Sequence, residues 1–149
     1  MGSEAPVHVL VVAHRTAATP ALLAAIHDRA NRSPCRFSLV VPNGVDGLFP
    51  GRRQLDWKHS QGEAVLALAL PLMEEAAGAP VDGWVSSVPN PFDVVQAAVE
   101  GGDVDEIIIS TLPHRVSHWL RIDLPARVAD LGLPVTVVVA QHEARVPSH

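Results

Sequence analysis

Short apolar runs recur along the chain, and longer segments with helical periodicity separate them. Five of these runs predict strands, namely residues 7–13, 37–41, 81–88, 106–111 and 134–140. The first run is apolar and β-branched at nearly every position, which is typical of a strand buried on both faces of a parallel sheet. The pattern therefore predicts five strands with helices between them.

Two helix starts are marked by a capping residue followed by proline. Thr19 precedes Pro20, and Asn90 precedes Pro91. A side-chain oxygen at the capping position can accept a hydrogen bond from a free N–H group of the first turn, and proline fits the first helical position because it needs no donor there. We predict helices after both pairs, each capped by its polar residue.

The middle of the chain changes abruptly from polar to apolar. Residues 43–60 are polar and irregular and predict the longest loop, whereas residues 60–77 are rich in alanine and leucine and predict a helix. Pro71 lies inside this helix, where a proline removes one hydrogen bond and crowds the preceding turn. We therefore expect Pro71 to kink or divide the helix.

Strands and helices alternate through the whole chain. This order is typical of a doubly wound α/β fold, in which a parallel sheet carries helices on both faces and the crossovers are right-handed. At 149 residues the chain has the length of one domain. We interpret residues 1–149 as a single domain, with residues 140–149 as its tail.

The composition and net charge of the chain limit the kinds of function that it can have. The chain is 48% hydrophobic and 18% charged with a net charge of −5, which favours a globular protein and argues against general nucleic-acid binding. No apolar run reaches the ~18 residues of a membrane helix, and the first residues lack the features of a signal peptide, so we expect a cytoplasmic protein. The single Cys35 excludes an intramolecular disulfide, and Arg36 beside it is expected to lower the pKa of its thiol slightly.

Three segments carry a resemblance to a known family. They are VHVLVVAHRTAATPALLAAI near the start, NPFDVVQAAVEGGDVDEIIIST in the second half and LGLPVTVVVA near the end. In their order and character they resemble the universal stress protein family, as a divergent member of actinobacterial type. The resemblance implies a five-stranded parallel sheet in the order 3-2-1-4-5, often a dimer, and a usually non-enzymatic role in stress physiology.

The chain departs from the family's ATP-binding members after its fourth strand. Those members carry a glycine-rich motif there, but residues 110–123 contain no glycine. A phosphate cradle needs several inward-pointing backbone N–H groups, and Pro113 supplies none. We expect no ATP in the family's usual position and predict no cofactor, while whether ATP or AMP binds at all stays open.

The predicted strand order brings the ends of strands one and four together, and ligands of such sheets bind in that crevice. Arginine and histidine facing hydroxyls there are suited to a single phosphate, sulfate or carboxylate. Alternatively, these groups cap helices, pair with Asp123 or lie in water, and Asp123 itself is expected to cap a helix that starts near Leu124. The candidate ligand-binding residues are His14, Arg15, Thr16, Ser110, Thr111, His114, Arg115, Ser117 and Asp123.

Two other chemistries are formally available in the same segment. Ser110 or Ser117 with His114 and Asp123 has the composition of a hydrolase triad, but the G-x-S-x-G signature is missing. His114 and His118 are four residues apart, yet a metal site needs further ligands. We therefore predict no catalytic residue and no metal. We interpret the protein as a non-enzymatic stress-related or regulatory module, with a nucleotide or small-anion sensor as the first alternative and a small hydrolase as the second.

The last strand predicts an interface. It is long and apolar and is expected at the edge of the sheet, where exposed backbone groups invite pairing with another chain. A two-fold homodimer is the simplest closed assembly of this kind, and a further protein partner is compatible with it. The alternative is that residues 141–149 cover the edge. The predicted contact residues are Val135, Val137 and Val139.

Overall fold

A computed structural model describes residues 6–14, 16–42, 55–86, 90–113 and 118–140, with only the backbone described for residues 55–61, 118 and 121. The elements in chain order are β1 (Val7–Val12), α1 (Pro20–Arg32), β2 (Cys35–Val41), α2 (Leu55–Ala77), β3 (Asp82–Val85), α3 (Pro91–Glu100), β4 (Glu106–Thr111), α4 (His118–Arg121), α5 (Leu124–Ala129) and β5 (Val135–Val139).

The five strands form one parallel sheet in the order β3-β2-β1-β4-β5. This arrangement confirms the predicted doubly wound fold and the strand order that the family resemblance implied. The central strand β1 pairs with β2 on one side and with β4 on the other. Helices also cover both of its faces, which explains why its sequence is almost wholly apolar.

Successive side chains of β1 feed two separate cores. Val9 and Val11 pack with residues of α1 and α2 on one face of the sheet. Leu10 and Val12 pack with residues of α3 and α5 on the other face. The period of two along a strand thus distributes one apolar run between two layers of helices.

Helix α2 departs from the sequence prediction in two respects. It begins at Leu55, so the prediction of a loop over residues 43–60 is wrong for its last six residues, and residues 43–54 lie outside the described part. Helix α2 also continues through Pro71, which does not divide it. Pro71 is exposed, whereas the neighbouring positions Ala69 and Met73 are fully buried against the sheet. Packing on the buried side holds the helix together across the hydrogen bond that proline cannot make.

Strand β3 is shorter than predicted, because it ends at Val85 rather than at residue 88. Residues 87–89 lie outside the described part of the chain. Gly83 lies in the middle of β3 under α2, where an added Cβ would approach the side chains of Leu66 and Leu70 to 2.8 and 2.9 Å. The glycine that weakens the strand signal in the sequence therefore permits the close contact between α2 and the sheet.

The two predicted helix caps differ in outcome. The side chain of Asn90 accepts a hydrogen bond of 2.9 Å from the backbone N–H of Phe92, as predicted. Thr19 occupies the capping position of α1, but its hydroxyl donates to the carbonyl of Thr16 at 2.9 Å and makes no capping bond within the described residues. The preceding turn competes for the hydroxyl, which explains why the prediction for Thr19 is wrong.

Candidate functional site

The carboxyl ends of β1 and β4 lie side by side in the sheet. The chain leaves β1 for α1 on one face and leaves β4 for α4 and α5 on the other. This is the position at which a doubly wound sheet forms its ligand crevice. The topology thus places the described candidates His14, Thr16, Ser110 and Thr111 around one location.

Four of the candidate residues are closely packed at this position. His14 and Thr16 after β1 are each 2% exposed, and Ser110 and Thr111 at the end of β4 are each 1% exposed. The hydroxyl groups of Thr16 and Ser110 share a hydrogen bond of 2.6 Å. The two halves of the crevice are therefore joined directly by their own polar side chains.

Backbone hydrogen bonds fix the same region. After β1 the chain turns back on itself through bonds from Ala17 N to the His14 carbonyl and from Thr19 N to the Thr16 carbonyl. The carbonyl of Thr111 accepts from the N–H group of Ala140 at 2.9 Å, and the Thr111 hydroxyl donates to the carbonyl of Leu112 at 3.2 Å. These bonds hold the crevice residues in defined positions. Several of their polar groups are therefore hydrogen-bonded within the protein.

The cationic candidates lie outside the described residues. They are Arg15, His114 and Arg115, and the uncharged candidate Ser117 also lies outside the described residues. Their predicted part in anion binding therefore stays a prediction, and the same holds for a hydrolase triad that includes His114.

The prediction that Asp123 caps a helix through its side chain is wrong. Asp123 precedes α5, but its backbone is left-handed with φ 57° and its carboxylate makes no capping hydrogen bond within the described residues. Aspartate tolerates this conformation better than most residues do. Asp123 therefore reverses the chain between α4 and α5, and its side chain is exposed.

Trp119 fills part of the layer behind the crevice. Its side chain is buried in the core between the sheet, α3 and α5, where Leu124 and Val128 also pack. Trp119 is therefore a core residue rather than part of an exposed surface. A large aromatic ring thus occupies the interior on the β4 side of the site.

A polar cluster at the opposite, amino end of the sheet was missed by sequence reasoning. The ring Nδ1 of His8 lies 2.6 Å from the Asp103 carbonyl oxygen, and its Nε2 lies 2.8 Å from the Ser38 hydroxyl. Because a carbonyl only accepts, Nδ1 donates to Asp103, and Nε2 shares a hydrogen bond with the Ser38 hydroxyl. The backbone N–H of His8 donates to the Asp105 carboxylate at 3.0 Å. The available signal was a polar residue inside each of two apolar strands, which requires a buried hydrogen-bond partner.

A charged pair at the same end connects α1 with β4. The guanidinium group of Arg29 donates to both carboxylate oxygens of Glu106 at 3.0–3.1 Å and also to the Ser33 hydroxyl at 3.0 Å. The hydrogen bonds to Glu106 raise the pKa of Arg29 above its ordinary value, although burial acts in the opposite direction. This two-pronged geometry fixes the position of α1 on the sheet.

The thiol of Cys35 differs from its predicted behaviour. Burial raises its pKa above the ordinary value, and the nearby cations that oppose this effect are Arg29 and Arg32. The expectation that Arg36 lowers the pKa is therefore wrong, because desolvation outweighs the attraction of the surrounding charges. A thiol with a raised pKa carries less of the reactive thiolate.

The described part of the chain contains neither a metal-binding cluster nor a membrane-spanning helix. Its residues contain no group of three or more histidine, cysteine, aspartate or glutamate side chains placed to hold a metal ion. None of the helices described there is both long and apolar enough to cross a membrane.

Comparison with proteins of known structure identifies the fold of the chain. No family model matches the chain, and no curated protein matches it. Solved structures of universal stress proteins do match. UspA from Lactobacillus plantarum is 16% identical, with a TM-score of 0.59 over 93% of this chain and 100% of that one. A universal stress protein in complex with cAMP is 17% identical, with a TM-score of 0.61 over 93% and 100% of the two chains.

The universal stress protein from Archaeoglobus fulgidus in complex with dAMP is 18% identical, with a TM-score of 0.54 over 92% of this chain and 98% of that one. These similarities extend over nearly the whole length of each chain. The protein therefore has the doubly wound parallel α/β architecture and, within that class, the universal stress protein fold. The resemblance seen in the sequence is confirmed for the fold.

Proposed function

We propose that the protein is a non-enzymatic regulatory module, related to stress physiology, that does not bind ATP in the position usual for its fold. The hydrogen bond between Thr16 and Ser110 carries this proposal. It joins the two sides of the crevice at the place where a ligand would enter between them. A ligand must break this bond and replace it, which costs binding free energy.

The start of the segment after β4 supports the same proposal. Leu112 and Pro113 follow the strand directly, where a nucleotide-binding sheet commonly has glycines whose N–H groups face the phosphates. Pro113 has no N–H group to offer. A triphosphate therefore finds no backbone donor at Pro113.

A sensor of adenine mononucleotides or small anions is the second candidate. Two proteins of the same fold were solved with cAMP and with dAMP, and each of these ligands carries a single phosphate. One phosphate requires fewer donors than three, and the side chains of Arg15, His114 and Arg115 are chemically suited to supply them. The Thr16 and Ser110 hydroxyls would then exchange their mutual bond for bonds to the ligand.

We further propose that the protein forms a homodimer through β5. This strand is at the edge of the sheet, and Val137 and Val139 are 39% and 37% exposed on the same face of it. Val135, two residues earlier, belongs to the same face and is partly buried. An apolar edge strand of this kind gains both backbone hydrogen bonds and apolar burial from a second copy. A cytoplasmic location is compatible with this assembly and stays part of the proposal.

Thermal unfolding with and without nucleotides tests the proposed function. ATP, ADP, AMP, cAMP and inorganic phosphate are added separately to the full chain. A ligand at a hundred times its Kd stabilises the folded state by about 2.7 kcal/mol, which raises Tm by roughly 2–4 °C per kcal/mol at this chain length. We expect no shift with ATP.

The other possible Tm results distinguish the regulatory module from the sensor. A shift with AMP or cAMP that disappears in Arg115→Ala supports the sensor and contradicts the regulatory module without a ligand. A rise in Tm with ATP contradicts the proposal that the protein does not bind ATP in the position usual for its fold. Ser110→Ala serves as the control for the closed crevice, since it removes the bond to Thr16 without adding volume.

A further inference from the structure

The outer surface of α2 is apolar where a surface helix is usually polar. Residues 64–73 contain no polar side chain over nearly three helical turns. The inner side of this segment is used, because Ala69 and Met73 are fully buried in the core. The outer side is not used in the same way, since Leu68 is 63% exposed and Leu72 is 37% exposed. A helix that is apolar all round is normally buried all round.

These two leucines border the contact between α1 and α2. Residues four apart share one stripe of a helix, so Leu68 and Leu72 lie on the stripe of Ala76. The carbonyl of Ala76 lies 3.3 Å from Nδ1 of His27 on α1. Leu23 lies one turn before His27 on α1 and packs partly against the core. We call this surface, formed by Leu23, His27, Leu68, Leu72 and Glu75, the α1–α2 seam.

Charge at the seam has one sign on the α2 side. Residues 62–77 carry Glu63, Glu74 and Glu75 and no lysine or arginine, and the last turn of α2 has no basic residue. Glu75 is exposed and lies three residues after Leu72, on the same side of the helix. The C-terminal end of a helix also carries partial negative charge. The apolar stripe therefore ends beside Glu75 at a negative pole, and the last turn of α2 carries no lysine or arginine.

We propose that the α1–α2 seam docks a basic amphipathic helix of another protein. The apolar side of that helix covers Leu68 and Leu72, and its lysine or arginine side chains reach Glu75 and the end of α2. Charge complementarity selects this occupant, because the protein has a net charge of −5 and the seam is acidic on its α2 side. Apolar anchors with charged flanks are a recurring mode by which grooves recognise helices.

The α2 side of the seam is separate from the proposed dimer contact. Helix α2 packs on β2 and β3 at one end of the sheet, whereas β5, which contacts α1, is the strand at the other end. A dimer through β5 therefore leaves Leu68, Leu72 and Glu75 on α2 accessible on both protomers.

The experiment uses labelled synthetic peptides and fluorescence anisotropy with the full-length chain. The probe is a helix of about 18 residues, long enough to form a helix, with leucines along one side and lysines flanking them. A second peptide has glutamate in place of lysine, and a third has the first composition in scrambled order. We expect the basic amphipathic peptide to bind and the other two to bind at least about tenfold more weakly.

Variants localise the binding. The double substitution Leu68→Gln and Leu72→Gln is expected to weaken the basic peptide about tenfold or more, and Glu75→Lys is expected to weaken it while improving the acidic peptide. Trp84→Ser removes a larger exposed apolar side chain from β3, outside the seam, and is the matched control with unchanged affinity. Circular dichroism and Tm confirm that each variant folds.

Three results would overturn the proposal. The first is equal binding of all three peptides or no binding of any, and the second is an equal loss of affinity in Trp84→Ser. The third is an oligomer that dissociates on sedimentation only when Leu68 and Leu72 are replaced, since a second copy of the chain would then occupy the seam.

Discussion

Arg29 shows how one residue fixes a helix on the sheet. Its guanidinium group is bound to Glu106 through three hydrogen bonds, and the two side chains are only 9% and 14% exposed. A pair removed from water to this extent contributes little net stability when intact, but either charge is costly when it is left alone. The interaction therefore specifies the position of α1 more than it adds stability.

Removal of one member of the pair is expected to be more damaging than removal of both. Arg29→Met leaves the Glu106 carboxylate without its main donors and should lower the free energy of unfolding by about 3 kcal/mol. The double variant Arg29→Met and Glu106→Met should lose clearly less than the sum of the single losses. Urea unfolding of the four proteins in the cycle measures this coupling, and additive losses would contradict it.

His8 shows what a sequence can and cannot predict about a single buried residue. The sequence shows a histidine in an apolar strand, and burial requires that its ring nitrogens be bonded. Its neighbours Ser38 and Asp103 are 30 and 95 residues away along the chain. Only the folded sheet brings them together, so the need for partners was predictable and their identity was not.

At the element scale, the segment from α4 to α5 lacks the helix cap that its sequence pattern predicts. An aspartate before a proline-containing apolar turn is a strong capping signal, yet Asp123 has left-handed backbone geometry and no capping bond within the described residues. The short helix α4 ends directly before it, and the N–H of Asp123 donates to the Leu120 carbonyl at 3.1 Å. The preceding element thus sets the backbone of the residue expected to act as a cap.

This geometry predicts an unusual order of substitutions at position 123. Glycine adopts positive φ without strain, so Asp123→Gly should leave the free energy of unfolding unchanged or raise it by up to about 1 kcal/mol. Asp123→Ala should lower it by about 1 kcal/mol, because alanine is strained in the left-handed region. Chemical denaturation of both variants measures the difference. If Asp123 were an ordinary cap, glycine and alanine would both be destabilising.

At the scale of the whole molecule, the two edges of the sheet are built differently. Strand β3 has only four residues and includes Gly83, whereas β5 has five residues of which four are valine. Short and glycine-containing edges resist pairing with another chain, and longer β-branched edges favour it. Strand β5 is therefore the edge at which a second copy is expected to add.

Charged substitutions distinguish the edges. Val137→Glu with Val139→Glu should convert the proposed dimer into a monomer, because two carboxylates from each copy would be buried or brought together in the interface. Trp84→Glu changes an exposed apolar residue at the β3 edge and should leave the dimer intact. Sedimentation velocity at several concentrations measures both, and a monomeric unsubstituted protein or a dimer lost in Trp84→Glu would contradict the assignment.

The location of the candidate site was predictable from the sequence, but the way in which its polar groups are bonded and buried was not. The end of strand four and the turn after strand one are recognisable in the sequence, and the topology brings Thr16 and Ser110 together as expected. Their mutual hydrogen bond and their burial depend on how the two turns pack. A sequence lists the polar groups near a crevice, whereas only the packing decides whether they face a ligand or each other.

The sequence alone determined the fold class, because five apolar runs alternating with helical segments allow few topologies other than a doubly wound parallel sheet. It also determined the register of burial within β1, since a period of two assigns each side chain to one face. The tertiary structure decided the path of α2 through Pro71, the left-handed turn at Asp123 and the partners of Arg29 and His8. Local pattern fixes which side of an element is apolar, but contacts between distant residues arise only when those sides are packed together.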